Sequence, residues 1–241
     1  MDHDDVPVGR VLKRREVLTL LGLTGVAILV GRKAGSAAAR ALPQCVARPQ
    51  QTEGPYFVDE RLNRPDIRSD PATGVVKAGA ALVLTINVSR VGDGACPPLV
   101  GAQVDVWHCD ALGVYSDVID PGFNTVGQRF LRGYQITDDS GRAQFTTIYP
   151  GWYPGRTVHI HFKIRTDPAA ARGFEFVSQL YFDDGLTDRV HSAAPYAAKG
   201  QRTLRNSGDR IFRSGGQQLL LAVAESRRPY AASFDIGLQI G

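Results

Sequence analysis

Sulfur is scarce in this chain: three cysteines and one methionine among 241 residues. The cysteines, Cys45, Cys96 and Cys109, lack the paired close spacing of a zinc site, so a cysteine-based zinc module is excluded. Long hydrophobic runs are also missing. The longest, from Val17 to Val30, is about 14 residues, short of the roughly 20 that span a bilayer. No stretch clusters basic residues with aromatics, and charge of one sign is not in excess outside the first 41 residues. That segment holds seven Lys/Arg and four Asp/Glu. This leaves 21 of the 28 basic and 20 of the 24 acidic residues for positions 42–241. A near-neutral domain has no electrostatic basis for nucleic-acid binding. No long amphipathic helix follows the N-terminal segment, and there are no repeats.

What the first 41 residues do contain is a pattern. Lys13-Arg14-Arg15 precedes the mild apolar run, and Ser36-Ala37-Ala38-Ala39 offers small residues for a peptidase. This reads as a twin-arginine export signal over 1–41, with the twin-arginine machinery as partner and a periplasmic or extracellular destination in a bacterium. The competing reading is an uncleaved anchor helix. Export through that route suits proteins that fold around a cofactor first. In an oxidising compartment one disulfide is expected among the three cysteines, with one thiol left over; three pairings remain open.

Residues 42–241 read as one all-β domain, a β-sandwich of about eight short strands. The expected strands are 80–90, 99–109, 130–137, 142–149, 158–165, 176–182, 217–224 and 233–240. Asp138-Asp139-Ser140-Gly141 predicts a hairpin turn between the third and fourth. In the second strand Val104, Val106 and Trp107 are candidates for the core. Positions 183–213 read as loop with a short helical turn.

The most informative run is Tyr149-Pro-Gly-Trp-Tyr-Pro-Gly-Arg-Thr-Val-His-Ile-His-Phe. From Val158 to Ile164 it alternates as a half-buried strand does. Residues i and i+2 share a strand face, so His159 and His161 project together and can hold one metal. Alone, a His-x-His pair is more often two polar residues on a solvated face. The aromatic, sharply turning entry through Trp152, Tyr153 and Arg156 argues against that here.

Two further clusters accompany it: Thr52-Glu53-Gly54-Pro55-Tyr56-Phe57 and Trp107-His108-Cys109-Asp110-Ala-Leu-Gly-Val-Tyr115. With Phe130-Leu-Arg-Gly-Tyr-Gln-Ile-Thr-Asp138 and the histidine run, they occur in an order and spacing that resembles the intradiol ring-cleavage dioxygenases, the catechol 1,2-dioxygenase and protocatechuate 3,4-dioxygenase relatives. The resemblance covers roughly residues 45–185. It implies one Fe(III) per chain held by Tyr115, Tyr153, His159 and His161, with Tyr153 and His161 axial and Tyr115 and His159 equatorial. It also implies a small aromatic diol and O2 as substrates and a muconate-type diacid as product. Arg156 matches the arginine beside the substrate, and Gln179 the glutamine that orients it. Pro55, Tyr56 and Trp152 are candidates for the substrate pocket, and His108 is expected to point away from the site. Such residue types make chemical sense together. A free tyrosine ionises near pH 10, so only a strong Lewis acid turns it into a ligand at neutral pH, and anionic oxygen donors favour ferric iron. Two departures stand out. Tyr153 and His159 are closer in sequence than in the protocatechuate enzymes, and there is no room for the helical dimerisation domain of the catechol branch. The alternatives are an exported β-sandwich module that binds iron or an aromatic ligand without turnover, and a zinc or copper hydrolase using the two histidines.

Overall fold

The computed structural model describes residues 46–92, 95–168, 173–225 and 228–240. The segment 1–41, expected to be an export signal, and Cys45 lie outside the described residues.

Two four-stranded sheets carry the fold. The strands of the first are β1 (Ala81–Arg90), β6 (Arg142–Ile148), β9 (Ala222–Ala224) and β10 (Tyr230–Leu238), in the order β6-β1-β10-β9. Those of the second are β2 (Gln103–Trp107), β5 (Arg132–Ile136), β7 (His159–Arg165) and β8 (Glu175–Tyr181), in the order β5-β2-β7-β8. A small ribbon of β3 (Ile119–Asp120) and β4 (Phe123–Asn124) stands apart.

Strand β1 shows how the sequence makes this layer. Its Leu82, Leu84, Ile86 and Val88 alternate with half-buried residues, so one face is apolar and must be covered. Val104, Val106, Ile160, Phe162, Ile164 and Leu180 of the second sheet supply the cover, and the aromatic pair Phe162–Phe234 bridges the layers at 5.6 Å. This is face-to-face sheet packing.

The second sheet differs from expectation in an instructive way. Strand β7 is not half-buried: His159 through Ile164 are all buried. Its second face carries His159, His161 and Lys163 flanked by Trp107 of β2 and Val177 of β8. Cys109, Tyr115, Tyr56, Phe57 and Tyr153 join Trp107 and Val177 in a separate apolar cluster that forms the roof of this face. Trp107 belongs to this roof and not to the inter-sheet core. It pairs with His161 in register, and Val106 occupies the core-facing position beside it. The N-terminal segment helps to hold the roof down: Gln51 N–H donates to the Val177 carbonyl and Ser178 Oγ to that of Pro49.

Other boundaries moved. The Asp138–Gly141 turn forms, with Gly141 N–H donating to Asp138 O at 2.8 Å and Gly141 at a positive φ of 72° that favours glycine. It is not a hairpin, because β5 lies in one sheet and β6 in the other. The expected strand 217–224 shrinks to β9. Its first half is a 3-10 turn, Gly216–Leu219, in which Gly216 packs so close to the Phe212 ring that a Cβ there would lie 2.5 Å from it. The expected loop 183–213 holds a real helix, α1 (Asp184–His191), whose N-cap Asp183 accepts from Leu186 N–H at 2.8 Å. A one-turn helix, α2 (Arg210–Arg213), follows, capped by Asp209. Among the described residues no helix is long and apolar enough to cross a membrane.

Candidate metal centre and substrate cleft

Three polar side-chain atoms converge above β7. The Nε2 atoms of His159 and His161 lie 3.0 Å apart, and the Tyr153 hydroxyl is 3.2 Å from His159 Nε2. His159 Nδ1 is 2.6 Å from the Thr157 carbonyl. A carbonyl only accepts, so Nδ1 carries the proton and Nε2 presents its lone pair, the tautomer a metal requires. The His161 ring is oriented instead by stacking on Trp107, with centroids 5.0 Å apart and planes within 8°. Burial holds both imidazoles neutral, well below the usual histidine pKa, and the positive charge of Arg156 reinforces this.

Tyr115 completes the set. Asp110 turns the chain after β2 by accepting from Leu112 N–H and Val114 N–H, both at 3.0 Å, and this returns Tyr115 to the sheet. The Tyr115 ring stacks on Tyr56 at 4.3 Å and meets Tyr153 edge-on at 5.7 Å. Its hydroxyl is buried with no hydrogen-bond partner. Burial raises its pKa well above the ordinary value, and the Tyr153 phenol adds to the rise without making a well-formed hydrogen bond. A buried orphan hydroxyl beside two neutral imidazoles is costly unless something binds it. No group of three or more His, Cys, Asp or Glu gathers among the described residues. The donors gathered here are two phenols and two imidazoles, a set that suits a hard, highly charged cation.

Arg156 stands beside this set with 6% exposure. Its Nε donates to Asp209 at 2.9 Å and its Nη2 to Gln179 Oε1 at 2.6 Å. Gln179 is fixed in turn, its amide donating to the Thr52 carbonyl at 3.0 Å while its oxygen also accepts from the Tyr181 hydroxyl at 3.0 Å. Asp209 also accepts from Thr157 N–H at 2.8 Å. Sequence reading missed both Asp209 and Tyr181. Asp209 carries only an N-cap signal ahead of α2, and nothing in the sequence ties it to a residue 53 positions away.

An open cleft of about 840 Å³ leads to this centre. Pro55, Tyr56, Tyr153 and Arg156 line it, with Leu112, Val114, Ile119, Phe123, Lys199 and Ile211 among the other walls. Trp152 does not line it. The backbone turns so that Tyr153 faces the cleft while Trp152 packs into the core at 8% exposure, its indole N–H donating to the Gly200 carbonyl at 3.2 Å. His108 points away, as expected. It bonds Thr147 Oγ1 at 2.7 Å and the Cys109 carbonyl at 2.8 Å.

Comparison with known proteins identifies the family to which this fold belongs. The family model described as Dioxygenase matches residues 52–238. The chain belongs to the intradiol ring-cleaving dioxygenase family. It is 34% identical over 152 residues to the protocatechuate 3,4-dioxygenase beta chain of Burkholderia cepacia, covering 58% of this chain and 63% of that one. It is 43% identical over 106 residues to the catechol 1,2-dioxygenase of Candida albicans, covering 42% and 31%. The matched stretch thus spans less than two thirds of these relatives. An intradiol ring-cleavage dioxygenase from Tetranychus urticae superposes with a TM-score of 0.69 at 28% identity, covering 81% of this chain and 95% of that one.

Proposed function

We propose that this protein is an exported, non-haem Fe(III) intradiol dioxygenase that cleaves a catechol-type ring with O2 to a muconate-type diacid. The observation that carries the reading is the convergence of Tyr153, His159 and His161 on one point, with the orphan Tyr115 hydroxyl beside it. Tyr115, Tyr153, His159 and His161 would hold the iron. Bound ferric iron would ionise the phenols and draw electron density from the diol ring, making it reactive toward O2.

The chain's own residues have separable tasks. Tyr153 is the half-buried member of the set and the one that lines the cleft. Its oxygen is therefore placed to take a proton from an incoming diol hydroxyl. Arg156 presents a fixed positive charge at the cleft wall, where it offsets negative charge on a deprotonated diol and on the ring as it is attacked. Gln179 and Asp209 keep that charge from swinging into solvent. The apolar cluster of Trp107, Tyr115 and Val177 surrounds the inner face of the site, where both histidines are buried. Export rests on Arg14-Arg15 and the apolar run behind them. Replacing both by lysine is expected to trap the precursor in the cytoplasm, and unchanged export refutes that part.

The test is the purified protein itself. It should bind about one iron per chain and show a visible tyrosinate-to-ferric absorption that shifts on adding catechol. It should also consume O2 as a muconate absorbance rises. Tyr115→Phe and His159→Ala should lose iron and colour. Full colour in both variants sinks the ligand assignment, and absence of O2 uptake across a broad catechol panel sinks the activity.

A further inference from the structure

Lys199 is a cation on the cleft wall that no carboxylate bonds among the described residues. It lines the same cleft as Tyr153 and Arg156. Its ammonium donates to the Leu112 carbonyl and sits 4.9 Å above the Trp152 ring, both neutral partners. No acidic side chain pairs with it among the described residues. Asp110, a neighbour, is committed to Lys77 at 2.7 Å. The two acids of the cleft wall are also engaged: Asp209 with Arg156, and Asp120 with the Tyr56 hydroxyl at 2.8 Å.

The position is built. Gly113, at φ 82°, passes so close that a Cβ there would lie 2.4 Å from Lys199 Nζ and closer still to the Trp152 carbonyl. A side chain at 113 would have to displace the lysine tip and would meet the Trp152 backbone. Trp152 is anchored to the Gly200 carbonyl, next in sequence to Lys199, which fixes the backbone that carries the amine. Gly113 precedes Tyr115 by two residues and Trp152 directly precedes Tyr153, so the lysine is tied to the two strands of chain that deliver both phenols. Burial costs the ammonium some of its hydration and lowers its pKa, a cost that an arriving anion would offset. A cleft of this volume also has room for more than a bare diol ring.

We infer that Lys199 is a specificity-determining residue that binds an anionic substituent, a carboxylate, on the catechol substrate. This rests on the ring-cleavage reading and adds a substrate class to it. The carboxylate can sit on the ring or on a short side arm, so both forms belong in the test.

The experiment compares wild type with Lys199→Met, similar in length but uncharged, and Lys199→Arg. Substrates are catechol, 3,4-dihydroxybenzoate and 3-(3,4-dihydroxyphenyl)propanoate. Binding is read without oxygen from the shift in the visible band of the iron-loaded protein, and turnover from O2 uptake. Lys199→Met should lower the preference for at least one acid over catechol by about ten-fold, the loss expected for one charge-assisted hydrogen bond, mainly in KM and in the binding constant. Lys199→Arg should restore most of that preference. The acid that loses more identifies where the carboxylate lies. Equal losses for all three substrates, or no loss, overturn the inference, the first by making Lys199 a structural tether. A wild-type protein that binds these diols but cleaves none refutes the ring-cleavage reading while leaving the binding comparison to decide Lys199. One that binds none refutes both.

Discussion

The guanidinium of Arg156 and the carboxylate of Asp209 form a buried ion pair at 2.9 Å, with side chains 7% and 1% exposed. One carboxylate therefore does two jobs: it fixes the charge beside the His159–His161 pair, and it caps α2 by accepting from Ile211 N–H at 2.7 Å and Phe212 N–H at 3.0 Å. Removing one partner of such a pair leaves an uncompensated buried charge, which costs about 3–5 kcal/mol. Asp209→Ala is expected to lose about that much, with the cap adding about 1 kcal/mol. Urea unfolding measures it; a loss below about 1 kcal/mol refutes the shared role.

Arg156→Ala should separate chemistry from metal binding. The guanidinium is fixed by Asp209 and Gln179 rather than by the proposed ligands, so the variant should keep iron and still shift colour with catechol. Ring cleavage should fall about a hundred-fold or more, the loss typical of one preorganised electrostatic group. Thermal stability should fall as well, because Asp209 is left unpaired. Loss of iron would make Arg156 structural, and unchanged turnover would remove it from the reaction.

Burial lowers the His108 pKa to about 4, against an ordinary value of 6.5. The folded protein holds this imidazole neutral while the unfolded chain takes up a proton below 6.5. The stability that depends on it is complete above pH 6.5 and declines as pH falls toward 4, by up to about 1.4 kcal/mol per pH unit. The iron-free protein should show this decline in urea unfolding between pH 7.5 and 5, and His108→Asn should show a shallower one. Equal slopes would mean that His108 does not carry the effect.

Cys96 is disulfide-bonded and Cys109 is a free, buried thiol, which rules out the pairings that involve Cys109. Burial pushes the Cys109 thiol up to about 12, so almost no thiolate exists at neutral pH. A colorimetric thiol reagent should find no reactive group in the native protein and one in denaturant without reductant. Rapid reaction of the native protein would show that the thiol is accessible.

Much of this site can be read in the chain order because its pieces are local. His159 and His161 share a face through the two-residue period of a strand, and the Pro-Gly turn before them brings Tyr153 back within 3.2 Å. The aliphatic alternation of β1 likewise sets which face it buries. Where reading failed, the deciding contacts were distant in sequence. Strand β7 looked half-exposed because the roof over its histidine face comes from Trp107, Tyr115 and the segment around Phe57. The Asp138–Gly141 turn looked like a hairpin because local turn chemistry is the same whether the chain returns to its own sheet or crosses to the facing one. Trp152 and Tyr153 are adjacent aromatics, and only the packing around them sends one to the core and the other to the cleft. The sequence alone thus determined the shared face of His159 and His161, the alternating strands and the all-β class, since these follow from side-chain chemistry and backbone period. The tertiary structure decided which carboxylate holds Arg156, what covers the histidines and which lysine faces the cleft. Those pairings join residues far apart along the chain, and packing of the two sheets brings them together.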